Sequence, residues 1–235
     1  MNICENPCPI NLIGAFVPDE LPGWGGAVRR KEFAVKDQES LEEVLKNAEV
    51  GYLAFNGADG WPRITPLNFV FDGRILWHGA VAGERYECLQ QDPRATFAVV
   101  SVQRYIPSHF ASEENAAAAT TAFKSVQVRG KCRAIDDPEE KCAVLNQLMQ
   151  KYQPEGRYKK ISPGDPLYLK VLPATGVYAL MVEEIIGKFK LVQNKSEADR
   201  RKIVAQLQER GAPADLIIAE EILKTLKGNE DQPKS

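Results

Sequence analysis

Residues 61–92 read WPRITPLNFVFDGRILWHGAVAGERYECLQQD, and the fold turns on this stretch. The β-branched and aromatic residues over 63–71 predict a strand. Asp72-Gly73 predicts a two-residue type I′ hairpin turn, whose two centres both need positive φ. Residues 74–78 make the return strand, Ala80-Val81-Ala82-Gly83 is a loop of small residues, and Glu84–Gln91 reads as a helix. Such a loop feeding a helix start lets backbone amides approach an anion closely. Arg63 and Arg85 bracket the hairpin, and guanidiniums converging on free amides could hold a phosphate. On residue types alone a plain structural hairpin with exposed arginines stays open beside that reading.

Upstream, Asp37 is an N-cap, and Leu41, Val44, Leu45 and Ala48 share one helical face. Residues 50–55 predict a strand, followed by the turn Asn56-Gly57-Ala58-Asp59-Gly60. Residues 1–28 are rich in proline and glycine and predict an irregular extension. Downstream, 95–102 is an apolar run fit for a buried strand. Residues 103–121, with an alanine run and His109, read as a long irregular connection, either a lid or a surface excursion. A strand follows over 123–135. Asp137-Pro138-Glu139-Glu140 starts a helix that runs to about residue 152. After a loop over 154–166, residues 167–172 and 176–186 read as the final strands. Ser196 caps a helix to Arg210, Gly211 ends it, and Pro213 opens another to about residue 227. The last residues, 228–235, are polar and predict a frayed end.

The chain of 235 residues balances 30 Lys and Arg against 32 Asp and Glu, so its net charge of −2 gives no support to a nucleic-acid footprint. No apolar run is long enough to span a membrane, and the first residues lack the basic segment of a secretory signal. The expectation is a cytoplasmic protein with no membrane partner. Five cysteines, an odd number in a chain of this size, argue against a disulfide framework. Cys4 and Cys8 do not complete a tetrahedral metal site, and free thiols are the plainer reading; no metal is expected. Cys88 and Cys142 read as small packing residues on helices. With two histidines and no nucleophile-elbow sequence, a Ser-His-Asp hydrolase has little to draw on. Glycine-rich dinucleotide and nucleotide loops are also missing. An enzyme built from these residues would rely on a cofactor for the chemistry.

Several motifs occur in a telling order: Arg29-Arg30-Lys31, Pro66-Leu67-Asn68-Phe69, Trp77-His78-Gly79-Ala80, Gly83-Glu84-Arg85, Asp92-Pro93 and KSVQVRGK over 124–131. Together they resemble the flavin-binding split-barrel superfamily typified by pyridoxamine 5′-phosphate oxidase, in the branch of nitroimidazole-resistance-type proteins. The likeness covers roughly residues 29–152. It implies a mainly β, α+β fold: an antiparallel split β-barrel over 29–195 with flanking helices, an N-terminal extension over 1–28 and a C-terminal helical appendage over 196–235.

The resemblance implies FMN, bound between the subunits of a homodimer. Arg63, Arg85 and Ser125 match phosphate-side positions, with Gly83 and Glu84 in the loop that carries Arg85. Ile64, Thr65, Pro66, Leu67 and Asn68 match the strand along the flavin ring. Trp77, His78 and Gly79 match a second flavin-lining strand, where His78 is either a proton relay or a packing residue. Two positions depart from the pattern. Glu84 puts an acid beside the phosphate, unfavourable unless it turns away, and Gly79 replaces a commoner serine. The function implied is an oxidoreductase passing electrons from a reduced nicotinamide donor to a small acceptor such as a nitro compound. A non-catalytic flavin-binding regulator and a haem-handling protein on the same barrel are the alternatives. The basic segment GKFKLVQNK over 187–195 resembles one found in flavin-binding regulators, and a solvated basic strand end is an equal reading.

Overall fold

The computed structural model describes residues 28–230; the cysteines at 4 and 8, and the chain end beyond 230, lie outside them. The strands are β1 (Ala34–Val35), β2 (Gly51–Asn56), β3 (Pro62–Leu67), β4 (Val70–Phe71), β5 (Ile75–Ala80), β6 (Arg94–Ile106), β7 (Thr120–Ala134) and β8 (Thr175–Lys190). They form one sheet in the order β3-β2-β6-β7-β8-β5-β4, with β1 also on β8. Every pairing is antiparallel. The outermost members β3 and β4 are joined by only Asn68 and Phe69, and two residues span at most ~7 Å. The sheet must therefore curl until its ends meet at that corner. It stays open elsewhere, as a split barrel.

The barrel fills with side chains from alternate positions, among them Trp77, Phe69, Phe97, Leu53 and Leu180, all fully buried. Each such residue contributes roughly 1.5–3 kcal/mol. Helix α1 (Gln38–Asn47) is capped by Asp37, whose carboxylate accepts from the Ser40 amide at 2.9 Å, and it buries Leu41, Val44 and Leu45. Helix α2 (Glu84–Gln91) follows β5. Helix α3 (Pro138–Tyr152) forms a separate core with β4, β5 and β8 through Val144, Leu148, Leu76 and Val177. Helices α4 (Glu197–Arg210) and α5 (Pro213–Glu230) pack on each other and add Ile203, Leu207, Ile218 and Ile222 to the main core. Asp215 is fully buried where they dock. It accepts from Arg104 Nε of β6 at 2.5 Å and from Arg210 Nε of α4 at 2.7 Å.

Four local expectations change. The strand predicted over 63–71 breaks at Asn68-Phe69, because α3 takes the backbone groups there: the Phe69 amide donates to Tyr152 Oη at 2.8 Å and its carbonyl accepts from Lys151 Nζ at 3.0 Å. The hairpin turn is not type I′. Phe71 pairs with Ile75, leaving three residues between them, and only Gly73 has positive φ, at 95°. The Asp72 carboxylate closes this turn by accepting from the Arg74 amide at 3.1 Å and its guanidinium at 2.8 Å. Irregular chain is confined to 107–119, since Ile106 already pairs with Thr120, and Phe110 is buried beneath the Arg210 guanidinium. Residues 167–172 form turns rather than a strand, with Leu167, Leu169 and Val171 exposed. The Tyr168 and Leu169 amides donate to the Asp165 carbonyl and those of Val171 and Leu172 to the Tyr168 carbonyl, so the segment spends its backbone groups on local turns. Strand β8 itself runs on to Lys190 and takes the basic segment into the sheet.

Candidate functional site

The loop after β5 delivers α2 with its first turn uncapped. Gly83 occupies the N-cap with φ 97° and has no side chain to accept from the helix. The amides of Glu84, Arg85 and Tyr86 are the orphan donors of that first turn, and the helix dipole adds positive potential there. Arg85 is half-buried, and among the described residues no carboxylate pairs with it. Its guanidinium lies against Gly79 of β5, so closely that a Cβ on Gly79 would collide with Arg85 Nη2. The glycine that departs from the family pattern is thus what gives the arginine its seat.

Arg63 is held differently. Its Nε donates to Glu84 Oε1 at 2.9 Å, one Nη to Asp59 Oδ2 at 2.9 Å and the other to the Trp61 carbonyl at 3.2 Å. Glu84 therefore turns from the helix end to Arg63 and joins β3 to α2. Three of the five guanidinium N–H groups are committed, which leaves two. Arg63 is thus tied to the helix start that carries Arg85, one a braced cation and the other without a carboxylate partner among the described residues.

Strand alternation divides the remaining positions. Arg63, Thr65 and Leu67 lie on one side of β3, whereas Ile64, 68% exposed, and Pro66 lie on the other. Asn68 is exposed at the break before β4. On β5, Trp77 and Gly79 share a face with Tyr178 of β8: Trp77 stacks on Tyr178 with centroids 5.7 Å apart, and its indole N–H is buried with no partner. His78 points to the opposite face, exposed, opposite Val177. Gly79, which seats Arg85, and the expected proton relay are therefore on opposite faces of one strand. Ser125 is brought to neither arginine; it sits on β7 between Val100 and Lys188, and its hydroxyl donates to the Lys188 carbonyl at 3.3 Å.

Three residues at the site carried no readable motif. Tyr178 donates its hydroxyl to the Ala80 carbonyl at 2.6 Å, fixing the point where the loop leaves β5, and meets Tyr86 of α2 edge-on at 6.4 Å. Cys132 of β7 lies near Arg85; burial pushes its thiol up to about 12, so it is a neutral thiol and no nucleophile at neutral pH. Asp59 restrains Arg63. The period-2 rule applied to Trp77-His78-Gly79 would have separated His78 in advance. Among the described residues, no three His, Cys, Asp or Glu side chains gather as a metal site, and no helix is long and apolar enough to cross a membrane.

Solved structures share this architecture at low identity. The chain is similar to the flavocytochrome Anf3 of Azotobacter vinelandii (22% identity, 78% of this chain and 82% of that one, TM-score 0.61). It is similar also to a candidate 5-nitroimidazole antibiotic resistance protein of Bacteroides thetaiotaomicron (20% identity, 66% and 85%, TM-score 0.55). A third likeness is to an FAD and heme binding protein of Mycobacterium smegmatis (17% identity, 71% and 78%, TM-score 0.55). At these identities the likeness is one of fold. No curated protein matches the sequence. The family model for pyridoxamine 5′-phosphate oxidase matches residues 37–189. That span takes in α1, the whole barrel but for its ends, Arg63 of β3 and Arg85 at the start of α2, and on it the chain belongs to the pyridoxamine 5′-phosphate oxidase family.

Proposed function

We propose that this chain binds FMN and acts as an oxidoreductase between a reduced nicotinamide donor and a small acceptor such as a nitro compound. One observation carries the reading: a guanidinium, Arg85, that meets no carboxylate among the described residues and is seated over a glycine beside an uncapped helix start. That donor set suits a phosphate monoester dianion, which accepts charge-assisted hydrogen bonds from guanidinium and amide together. Bound FMN would supply hydride and electron transfer through N5 of its ring. Arg85 and the amides of α2 would bind the phosphate, Arg63 would add its remaining N–H groups, and Glu84 would keep Arg63 aligned. Tyr178 and Trp77 would hold the loop and the adjacent wall rigid.

A homodimer with flavin at the interface fits the outer face of the sheet. There Ile64, Tyr52 and Val100 are each about half exposed or more, and Tyr52 stands between Pro66 and Ala98. Exposed apolar clusters of this kind mark interaction surfaces. A second copy seated on this face would bring its own side chains toward Ile64 and Pro66. His78 has no role at the phosphate end. Its imidazole is free for a proton relay only to a ring lying on the α3 side of β5. Free thiols at Cys88, Cys132 and Cys142 accord with a cytoplasmic location.

The test is the absorbance spectrum of the protein as purified, followed by addition of NADH or NADPH. Flavin bands that bleach with donor and return with a nitro compound support the reading. A Soret band would point instead to haem, and flavin bands that no donor bleaches would leave a binding protein without the activity. His78→Ala that binds FMN but reoxidises more slowly would give the histidine its chemical role; unchanged reoxidation would remove it.

A further inference from the structure

The start of α3 and the loop that returns from its far end enclose a hollow of about 350 Å³, within the ~300–1,000 Å³ of clefts that hold small molecules. Helix α3 packs on β4, β5 and β8, whereas the apolar face with Tyr52, Ile64 and Val100 belongs to β2, β3 and β6. The hollow has an apolar lining: Pro138 of α3, Pro163 and Leu169 of the loop, and Leu172 and Pro173 of the turn that feeds β8. Its loop wall is pinned. Asn146 of α3 donates to the Ile161 carbonyl at 2.8 Å and accepts from the Ile161 amide at 3.0 Å. Asp165 accepts from the Leu167 amide at 3.0 Å and pairs with Lys159 at 2.5 Å. Leu169 is thereby held at the hollow with 54% of its surface exposed, and Leu167 and Val171 beside it are exposed as well. Apolar side chains clustered in water on a fixed turn mark a contact surface.

Two charged residues line the same hollow, Asp136 and Lys141. They do not pair with each other, and among the described residues neither pairs with any other charge. The Lys141 ammonium reaches the Leu172 carbonyl at 3.4 Å, which leaves two of its three N–H groups open. The acids next to Asp136 are spent elsewhere: Asp137 accepts from the Glu140 amide at 2.7 Å, and the Glu140 carboxylate accepts from Arg74 at 2.6 Å. An acid and a base that share one apolar hollow without bonding are matched by a ligand that carries both opposite charges on an apolar body.

We propose that this hollow binds a free amino acid with a large apolar side chain: its carboxylate on Lys141, its ammonium on Asp136, and its side chain against Leu169, Leu172 and the three prolines. Both charged ends then gain charge-assisted hydrogen bonds. An apolar carboxylic acid would leave Asp136 facing a like charge, and an apolar amine would do the same at Lys141, so the zwitterion is favoured over either. The site does not rest on the flavin reading, which concerns the start of α2.

The test is calorimetric titration of the full chain, in saturating FMN, with L-phenylalanine, phenylacetate and phenethylamine. Phenylalanine is expected to bind at least tenfold more tightly than either of the other two, each of which lacks one charged end. Lys141→Met should bring phenylalanine down to the level of phenethylamine, and Asp136→Asn down to the level of phenylacetate. Leu169→Asp, a change at an exposed turn, should weaken phenylalanine at least tenfold while leaving FMN affinity unchanged. No binding of phenylalanine by the parent, equal binding of the three ligands, or parent-like binding by Leu169→Asp would overturn the site. Competition between phenylalanine and FMN would place the amino acid at the start of α2 and overturn it as well.

Discussion

Gly79→Ala should cost flavin affinity through a residue it does not itself contribute. The new methyl would stand where Arg85 Nη2 now rests. The guanidinium is the mobile end of its side chain, so it can swing away, and the folded chain should lose no more than ~0.5 kcal/mol. Binding should suffer more. A hydrogen bond to a charged group contributes about 1.5–3 kcal/mol, and at 1.4 kcal/mol per decade that is roughly 10- to 150-fold in Kd. Arg85→Ala should show the whole of this, Gly79→Ala a large part. In the double variant the glycine change should add almost nothing, because its only route is through the arginine. Quenching of flavin fluorescence on titration measures all four affinities. If Gly79→Ala binds FMN like the parent while Arg85→Ala does not, or if the two losses add, the seat is not what positions Arg85.

Tyr152→Phe should destabilise the fold by about 1–3 kcal/mol in urea unfolding, since the Phe69 amide would be left without its 2.8 Å acceptor. Arg210, and after it Arg104, hold the Asp215 carboxyl well below the usual carboxylate range. Its folded value lies below its unfolded one, so its contribution is complete above pH ~4 and drains away as pH falls further. Asp215→Asn should lose that acid limb and cost about 1–3 kcal/mol at neutral pH, given that both arginines keep partial access to water; a parent and variant with the same acid profile would contradict it. Ile64→Asp with Tyr52→Ser should shift the protein toward a monomer in sedimentation and weaken FMN together with it; an unchanged oligomer would clear that face of the role.

Local chemistry made much of the fold legible. Asp37, Asp137, Ser196 and Gly211 cap the helices as their residue types announce, and the apolar face at 41, 44 and 45 is the face that is buried. What escaped was set by partners distant in sequence. Tyr152 breaks the strand at Phe69 from 83 residues away. Residues 167–172 are the exception: they have an acceptable strand pattern, but their amides go to local turns on Asp165 and Tyr168. At the site, motif order brought Arg63, Glu84 and Arg85 together on the page before the fold did. It did not say that Glu84 would bind Arg63, that Asp59 would share it, or that Tyr178 would anchor Ala80. Those depend on which face of which strand meets α2, and a single sequence carries that only where alternation is unbroken.

The central claim is that the start of α2 grips a phosphate. The most direct measurement is the ratio of FMN to riboflavin affinity, since the two ligands differ only in that group. The parent protein should prefer FMN by at least tenfold, and Arg85→Ala should bring the ratio close to one while riboflavin affinity stays put. An equal preference in parent and variant, or no preference in the parent, would contradict the account.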